Sequence, residues 1–323
     1  MVAGAAMSGD LSDAEWLEKL RGIGEKDGYF SNLGPDHASI FVERSHDVLF
    51  VAFETLFGIR SVSDTGLPVS FDVCNRRGWS HLSLITQKQS WFRDQRVWSY
   101  FDRLVDYGFF EDFDRVIFYG AGMCGYAAAT FSVVAPGAQV ILVSPQATLD
   151  RARTQWDSRF PTARRIDFTS RYAYAPEMLE AASQAFLIYD PDEAEDAMHA
   201  SLFRGSNVHH QRYRRGRAGA IEADLRALGL VSAMAEKAAN GTLTPAKLAS
   251  ILRLRKRHVP YLRALLARVL SEDRPALTAA LCRAVLKDRP IPRFQQQLEI
   301  AERRLAAERG EVVEEAEPTQ DRA

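Results

Sequence analysis

Along the first 230 residues of the chain, continuous apolar runs alternate with segments whose apolar residues recur at helical spacing. Apolar runs rich in β-branched and aromatic residues, typical of strands buried on both faces, occupy 48–55, 79–86, 115–119, 140–144 and 185–189. Segments between them, such as 97–107, place apolar residues at helical spacing. Strands that alternate with helices predict an α/β fold with a doubly wound, mostly parallel sheet.

Before residue 79 the sequence predicts a helix and antiparallel strands. Residues 11–22 carry apolar side chains at helical spacing behind Ser12, which predicts a capped helix within a lead-in of residues 1–34. Apolar runs at 38–42 and 48–55 are separated by a short polar stretch, which predicts a hairpin.

From residue 231 onward the strand pattern disappears and helical spacing continues. The pattern predicts an α/β domain at 35–230 and a helical C-terminal annex at 231–310. The last segment, 311–323, is acidic and lacks apolar residues that could form a core, so it is expected to be disordered.

The composition limits the classes of partner. The chain has 41 Lys and Arg against 42 Asp and Glu, which gives no general reason for nucleic-acid or membrane binding. No apolar run approaches the roughly 18 residues of a membrane span, and the first residues lack the features of a signal peptide. Cys74, Cys124 and Cys282 lie far apart, which predicts reduced thiols in the cytoplasm and no zinc site.

The stretch from 115 to 146 has the most informative pattern. An apolar run is followed by Gly120, Gly122 and Gly125, a small-residue helical segment and a second apolar run, which predicts a parallel βαβ crossover. As GxGxxG, the glycines are typical of a dinucleotide-binding turn, which implies an oxidoreductase that uses FAD or NAD(P). As GxSxG, the turn is a nucleophile elbow in which Gly122 occupies the nucleophile position.

Residues that follow the other predicted strands favour the hydrolase interpretation. Asp190 ends the run at 185–189, where a triad acid follows its strand. The second strand of the crossover ends at Ser144, not at the acidic residue that binds a ribose hydroxyl. However, the last predicted strand is 207–213, and the segment that follows it, 214–220, contains no histidine to serve as the triad base.

These motifs resemble those of the α/β-hydrolase superfamily. A closer likeness, over about residues 14–290, is to a group of alphaproteobacterial proteins that often carry the automatic name phosphoadenosine phosphosulfate reductase. The likeness is carried by Trp91-Phe92-Arg93-Asp94, Phe101-Asp102-Arg103-Leu104, 116–126, 144–150 and Asp190-Pro191. The resemblance implies a hydrolase-like fold. The name implies a reductase, but the chain lacks the SGGxDS-like phosphate loop and the ECGxH-like cysteine motif of genuine reductases of that name.

The glycine turn offers few reactive groups. Gly122 has no hydroxyl to activate, and Cys124, two residues beyond the predicted apex, is more typical of a buried structural thiol than of a nucleophile. Asp190 is either a remnant triad acid or a cap of the following helix. The backbone N–H groups of Met123 and Cys124 open the helix, and a helix N-terminus attracts anions.

A basic cluster follows the last predicted strand and consists of Arg214, Arg215 and Arg217. Because the carboxyl ends of parallel strands meet at one edge of a sheet, we expect these arginines beside the turn. The predicted site for a phosphate, sulfate or carboxylate therefore comprises the three arginines together with Gly120, Gly122, Met123, Cys124 and Gly125.

The sequence thus predicts a catalytically degenerate hydrolase-fold protein without a cofactor or metal. Its expected ligand is a small anionic molecule or a protein partner, and the helical annex is a candidate for partner binding. The alternative that remains open is an FAD- or NAD(P)-dependent oxidoreductase that uses the turn at 120–125.

Overall fold

The computed structural model describes residues 11–217 and 219–309. The described residues form two compact units. The first unit extends to Leu254 and the second begins at Arg255. The sequence places a domain boundary near residue 230 instead. The difference arises because the helices Leu230–Ala239 and Pro245–Leu252 pack against strands of the first unit. The predicted acidic tail at 311–323 lies outside the described residues.

The strands of the described residues form a single eight-stranded sheet. In chain order they are β1 (Gly28–Asn32), β2 (His37–Val42), β3 (Ser45–Thr55), β4 (Trp79–Thr86), β5 (Val116–Ala121), β6 (Gln139–Val143), β7 (Gln184–Tyr189) and β8 (Val208–Arg212). Their order across the sheet is β1-β2-β4-β3-β5-β6-β7-β8. β2 is antiparallel to both of its neighbours, and β4, β3, β5, β6, β7 and β8 form a parallel series. This arrangement confirms the α/β-hydrolase-like fold.

Helices flank the sheet in the first unit. The α-helices described there are α1 (Asp13–Asp27), α2 (Leu56–Val62), α3 (Val69–Cys74), α4 (Gln95–Asp106), α5 (Met123–Phe131), α6 (Arg151–Thr154), α7 (Ala175–Met178), α8 (Ala194–Leu202), α9 (Ile221–Ala227), α10 (Leu230–Ala239) and α11 (Pro245–Leu252). Short 3₁₀ helices occupy Ser132–Val134, Pro161–Arg165, Leu179–Ala181 and Arg253–Arg257. The second unit contains the predicted helices, observed as α12 (Val259–Ser271), α13 (Pro275–Leu286) and α14 (Pro292–Glu308).

The predicted hairpin between residues 38–42 and 48–55 is wrong. β4 lies between β2 and β3 in the sheet, antiparallel to the first and parallel to the second. The hairpin partner of β2 is β1, which precedes it in the chain. β1 is only partly buried, so it lacks the apolar run that marks the central strands, and pairing between distant segments leaves no local pattern.

The N-terminal helix is capped as its sequence predicts. The Ser12 hydroxyl accepts a hydrogen bond from the Glu15 N–H at 3.3 Å, and the Glu15 carboxylate accepts one from the Ser12 N–H at 2.8 Å, which is a capping box. The buried Trp16 donates from Nε1 to the Gly66 carbonyl at 2.7 Å. This anchors α1 to the loop that follows α2.

Helices cover both faces of the central strands, so most residues of these strands are buried whichever face they occupy. β3 is buried from residue 48 to 54. On one face Phe53 stacks on Phe101 of α4 and Phe131 of α5, with ring centroids 6.0 and 5.7 Å away. Each such buried side chain stabilises the fold by roughly 1.5–3 kcal/mol. The packed sheet holds the carboxyl ends of its parallel strands at one edge, where ligands bind in open α/β sheets.

Two kinds of feature are missing from the described residues. None of their helices combines the length and the apolar character that crossing a membrane requires. Their histidine, cysteine, aspartate and glutamate side chains form no group arranged to hold a metal ion.

Candidate functional site

The turn between β5 and α5 has the backbone of a nucleophile elbow. Gly122 lies at its apex with φ 54° and ψ −123°, a combination that residues with a side chain adopt only with strain. Its N–H donates to the Val143 carbonyl at 2.8 Å, and its carbonyl accepts from the Tyr126 N–H at 3.0 Å. The chain therefore passes from a buried strand into a helix through one sharp turn, as in a nucleophile elbow, and glycine adopts this conformation without strain.

The three glycines of the turn serve different purposes. A Cβ on Gly120 would lie 2.1 Å from the Cys124 carbonyl oxygen, and one on Gly125 would lie 3.1 Å from both the Gly120 oxygen and the Pro145 Cβ. These two glycines allow strand and helix to approach closely. A Cβ on Gly122 would meet nothing within 4 Å. Steric demands of the turn thus account for the GxGxxG spacing without a bound phosphate.

Asp190 occupies the position of a triad acid, but backbone groups use both of its oxygens. The side chain is buried after β7. Oδ2 accepts the Gly216 N–H at 2.7 Å, and Oδ1 accepts the Asp192 N–H at 3.0 Å. The carboxylate therefore ties the loop after β8 to the loop after β7.

The fully buried histidine of α8, His199, is also committed to structural contacts. Its Nδ1 lies 3.1 Å from the Ala147 backbone N–H, which can only donate, so the ring proton is on Nε2. That Nε2 lies 3.0 Å from the Asp157 carboxylate and donates to it. Both ring nitrogens are therefore occupied within the fold.

The predicted arginine site is not assembled as expected. Arg214 and Arg215 are exposed, while Arg217 forms an ion pair with the buried carboxylate of Asp224. Of the three, only Arg217 is among the described residues that line a cavity of about 250 Å³ beside Gly122. The same cavity is lined by four carboxylates, those of Asp190, Glu193, Asp196 and Glu222. Negative charge therefore predominates where the sequence predicts an anion.

Cys124 lies in the first turn of α5 with 6% of its surface exposed. Burial raises the pKa of its thiol well above the usual value, and the negative charges of Glu222 and Glu54 raise it further. The sulfur is therefore held in the protonated form, which is a poor nucleophile. Together with Met123 it lines a second cavity.

This second cavity is larger, about 390 Å³, and opens at the carboxyl ends of β3, β4 and β5. Ala121 and Glu222 line both cavities, so the two adjoin at the turn. At its mouth Phe57 is 82% exposed and Val62 is 37% exposed. The other apolar walls are formed by Phe53, Ile59, Trp91 and Phe160.

A buried charged cluster lines the same cavity and was not identified from the sequence. Glu54, near the end of β3, accepts a hydrogen bond from Arg226 at 2.9 Å and another from the Val69 N–H at 2.8 Å. Glu222 lies one turn before Arg226 on α9 and accepts a long hydrogen bond of 3.4 Å from the Tyr119 hydroxyl. Among the described residues the Arg226 Nη2 has no hydrogen-bond acceptor.

The ionisation of the two glutamates reflects their burial. Desolvation raises the pKa of Glu54 to about 7, an effect that Arg226 reduces and Glu222 increases. Desolvation also raises the pKa of Glu222, against the opposing effect of Arg226. The one sequence signal of this cluster is the placement of Glu54 at the end of the apolar run 48–55. Glu222 and Arg226 lie 168 and 172 residues farther along the chain, and no local pattern connects them with Glu54.

Comparison with known proteins gives no family for this chain. No family model matches the chain, and none of the curated proteins matches its sequence. The name phosphoadenosine phosphosulfate reductase therefore receives no support.

Solved structures with the same kind of fold include several esterases. An esterase from Pyrobaculum calidifontis has a TM-score of 0.42 and 14% identity, over 74% of this chain and 96% of its own. MPT51 from Mycobacterium tuberculosis has a TM-score of 0.43 and 14% identity, over 65% and 95%. Est1E from Butyrivibrio proteoclasticus has a TM-score of 0.41 and 10% identity, over 62% and 94%. At these identities the likeness concerns the fold alone.

Proposed function

We propose that this chain is a hydrolase-fold protein that binds a small molecule and has no serine-hydrolase activity. The observation that carries the proposal is Gly122, which gives the turn the backbone of an elbow while a Cβ at this position would project into open space. The position of the nucleophile is therefore accessible but bears no reactive group. The backbone bonds of Asp190 and the absence of histidine from 214–220 support the same conclusion.

The cavity of about 390 Å³ is the proposed binding site. Its volume lies in the range of roughly 300–1,000 Å³ that small-molecule sites occupy, and it combines apolar walls with a few convergent polar groups. It also contains carboxyl groups whose pKa values are raised by burial, a feature that is concentrated at functional sites.

The predicted anionic ligand is not part of this proposal. In the smaller cavity four carboxyl groups accompany Arg217 alone. In the larger cavity Glu54 and Glu222 accompany Arg226 and the rim residue Lys88, whose ammonium is paired with Asp36. The alternative of an oxidoreductase has no support from the sheet order, which is that of a hydrolase-like fold. Binding of a protein partner by the helical annex at 231–310 and a cytoplasmic location stay predictions from the sequence.

A hydrolysis assay tests the lack of serine-hydrolase activity. With p-nitrophenyl acetate and p-nitrophenyl butyrate, we expect the full-length protein to show no turnover above the uncatalysed rate. Turnover that persists in the Cys124→Ala variant would contradict the proposal, since a nucleophile and base outside the elbow would then be at work.

Native mass spectrometry of the purified full-length protein, compared with the denatured sample, tests ligand binding. We expect a non-covalent mass increment of a small molecule that is lost on denaturation. An increment equal to FAD or a nicotinamide dinucleotide would instead favour the oxidoreductase.

A further inference from the structure

The larger cavity has two chemically different halves. Its mouth and walls are apolar and include Phe57, which is 82% exposed although it is a large aromatic side chain. Its inner end is formed by the charged cluster of Glu54, Glu222 and Arg226. A ligand that fills both halves must have a polar head group and an apolar body.

The charges at the inner end do not balance. One guanidinium, that of Arg226, faces the carboxyl groups of both Glu54 and Glu222. Arg226 engages Glu54 directly, at 2.9 Å, and its Nη2 is 4.0 Å from the exposed carboxylate of Asp72. Among the described residues Glu222 is left with the 3.4 Å hydrogen bond from Tyr119. When both glutamates are ionised, the cluster carries an excess negative charge in a desolvated place.

Other ionisable groups around the cavity do not supply the missing positive charge. Lys88 lies at the rim, and its ammonium forms an ion pair with Asp36 at 2.8 Å. The Cys124 thiol and the Tyr119 hydroxyl are both held protonated by burial, which raises their pKa values well above the usual range. Both groups are therefore neutral.

The Arg226 side chain gives a second indication that the cluster is incomplete. It is 8% exposed and lines the cavity, and among the described residues its Nη2 has no hydrogen-bond acceptor. A buried donor without an acceptor costs roughly 1–3 kcal/mol. An ammonium group cannot accept this hydrogen bond, so a water molecule in the cavity or a hydroxyl oxygen of the ligand would have to serve as the acceptor for Nη2.

We propose that the cavity binds an amine, with the ammonium group against Glu222 and an aromatic or aliphatic body along Phe57 and Trp91. The proposal rests on the proposed function, since it assigns the ligand class of the same cavity. A carboxylate or phosphate would add a third negative charge beside Glu54 and Glu222. An ammonium supplies the positive charge that the cluster lacks.

Amine binding in this cavity is coupled to proton release. Burial raises the pKa of Glu54 to about 7 and also raises that of Glu222, so around neutral pH the cluster holds a proton that compensates part of its charge. The ammonium takes over this compensation and the proton leaves. Binding is therefore expected to weaken as the pH falls below 7.

Isothermal titration calorimetry with three probes that share a phenylethyl body and differ in their polar head group tests the proposal on the full-length protein. The probes are 2-phenylethylamine, 2-phenylethanol and 3-phenylpropionate. We expect 2-phenylethylamine to bind most tightly, about tenfold or more weaker at pH 5.5 than at pH 8, with proton release that appears as a dependence of the heat on buffer ionisation. Comparable or tighter binding of the alcohol or the carboxylate would overturn the amine assignment while leaving small-molecule binding intact. No binding of any probe would overturn the assignment and count against the proposed function as well.

Matched variants locate the site. Glu222→Gln is expected to weaken amine binding at least tenfold, whereas Glu193→Gln, which changes a carboxylate of the adjoining cavity, leaves it unchanged. Because Glu222 is partly buried, a mouth variant gives an independent check. Phe57→Ala is expected to weaken binding several-fold. Its control is Tyr107→Ala, which removes an aromatic side chain that is 81% exposed and does not line the cavity, and this variant is expected to bind the amine as the wild type does. Unchanged binding in both Glu222→Gln and Phe57→Ala would overturn the proposal.

Discussion

Asp190 and Glu54 are both buried carboxylates at the carboxyl edge of one sheet, and they differ in what surrounds them. The two oxygens of Asp190 accept backbone N–H groups at 2.7 and 3.0 Å. Glu54 has one backbone donor and one guanidinium, and a second carboxyl group nearby raises its pKa further. Asp190 stands where the fold places a catalytic acid, but its bonds are those of a loop clamp. Glu54 has the environment of a functional carboxyl group.

This difference shows that position in a fold and chemical environment are separate guides to function. A residue at a strand end that is catalytic in related folds can have a structural role when backbone N–H groups occupy its side-chain oxygens, as they do at Asp190. A charge that is buried with too few partners costs stability wherever it lies. Three substitutions test whether Asp190 and Glu54 have these different roles.

Arg226→Met should have the largest effect. It removes the counterion of the buried Glu54, which typically costs about 3–5 kcal/mol, and also removes the cation beside the partly buried Glu222. The loss should be greater at pH 8 than at pH 5.5, since protonation of Glu54 relieves it. Urea denaturation followed by circular dichroism measures the change. The exposed Arg215→Met is the control and should change stability by no more than about 0.5 kcal/mol.

Glu54→Gln should remove a pH dependence of stability. The pKa of Glu54 is raised from 4.5 to about 7 in the folded protein, so the folded state binds this proton more tightly than the unfolded state does. Its contribution to stability is fully present below pH 4.5 and is lost as the pH rises through 7, by up to about 3 kcal/mol at roughly 1.4 kcal/mol per pH unit.

Urea midpoints at several pH values between 4.5 and 8 check this prediction. The Gln variant should gain stability relative to the wild type as the pH rises, while Glu25→Gln, on the exposed side of α1, should follow the wild type. If the wild type and Glu54→Gln showed the same dependence of stability on pH, the pKa of Glu54 would not be raised in the folded protein.

Asp190→Asn should have the smallest effect. Asn keeps one carbonyl acceptor but presents its amide group to the second backbone N–H, so one charge-assisted hydrogen bond worth about 1.5–3 kcal/mol is lost. We expect a lower melting temperature, faster hydrogen exchange at Gly216 and unchanged binding of 2-phenylethylamine. If the stability and exchange stayed the same while binding changed, Asp190 would be a functional acid after all.

Much of the local structure at this edge could be predicted from the sequence. The β5–α5 turn follows from the apolar run before it and the glycines within it, because strand, turn and helix are specified by neighbouring residues. The same holds for the cap at Ser12, where donor and acceptor are three residues apart. Neither requires knowledge of distant contacts.

The charged cluster and the strand pairing could not be predicted in this way. Glu54 and Arg226 are 172 residues apart and meet only when the sheet forms. The predicted hairpin of β2 with β3 failed for the same reason, since β4 enters between them from farther along the chain. The arginines were correctly placed after β8, but the sequence does not show that Asp224 engages Arg217 or that Arg214 and Arg215 face solvent.

The last strand, β8, forms one edge of the sheet and bears on aggregation. An edge strand presents unpaired backbone groups to which a strand of another molecule can add. β8 is only five residues long and reads Val-His-His-Gln-Arg, and each of its residues is at least partly exposed. Its shortness and its polar side chains disfavour such addition. The sheet is thereby protected against edge-to-edge polymerisation along this side.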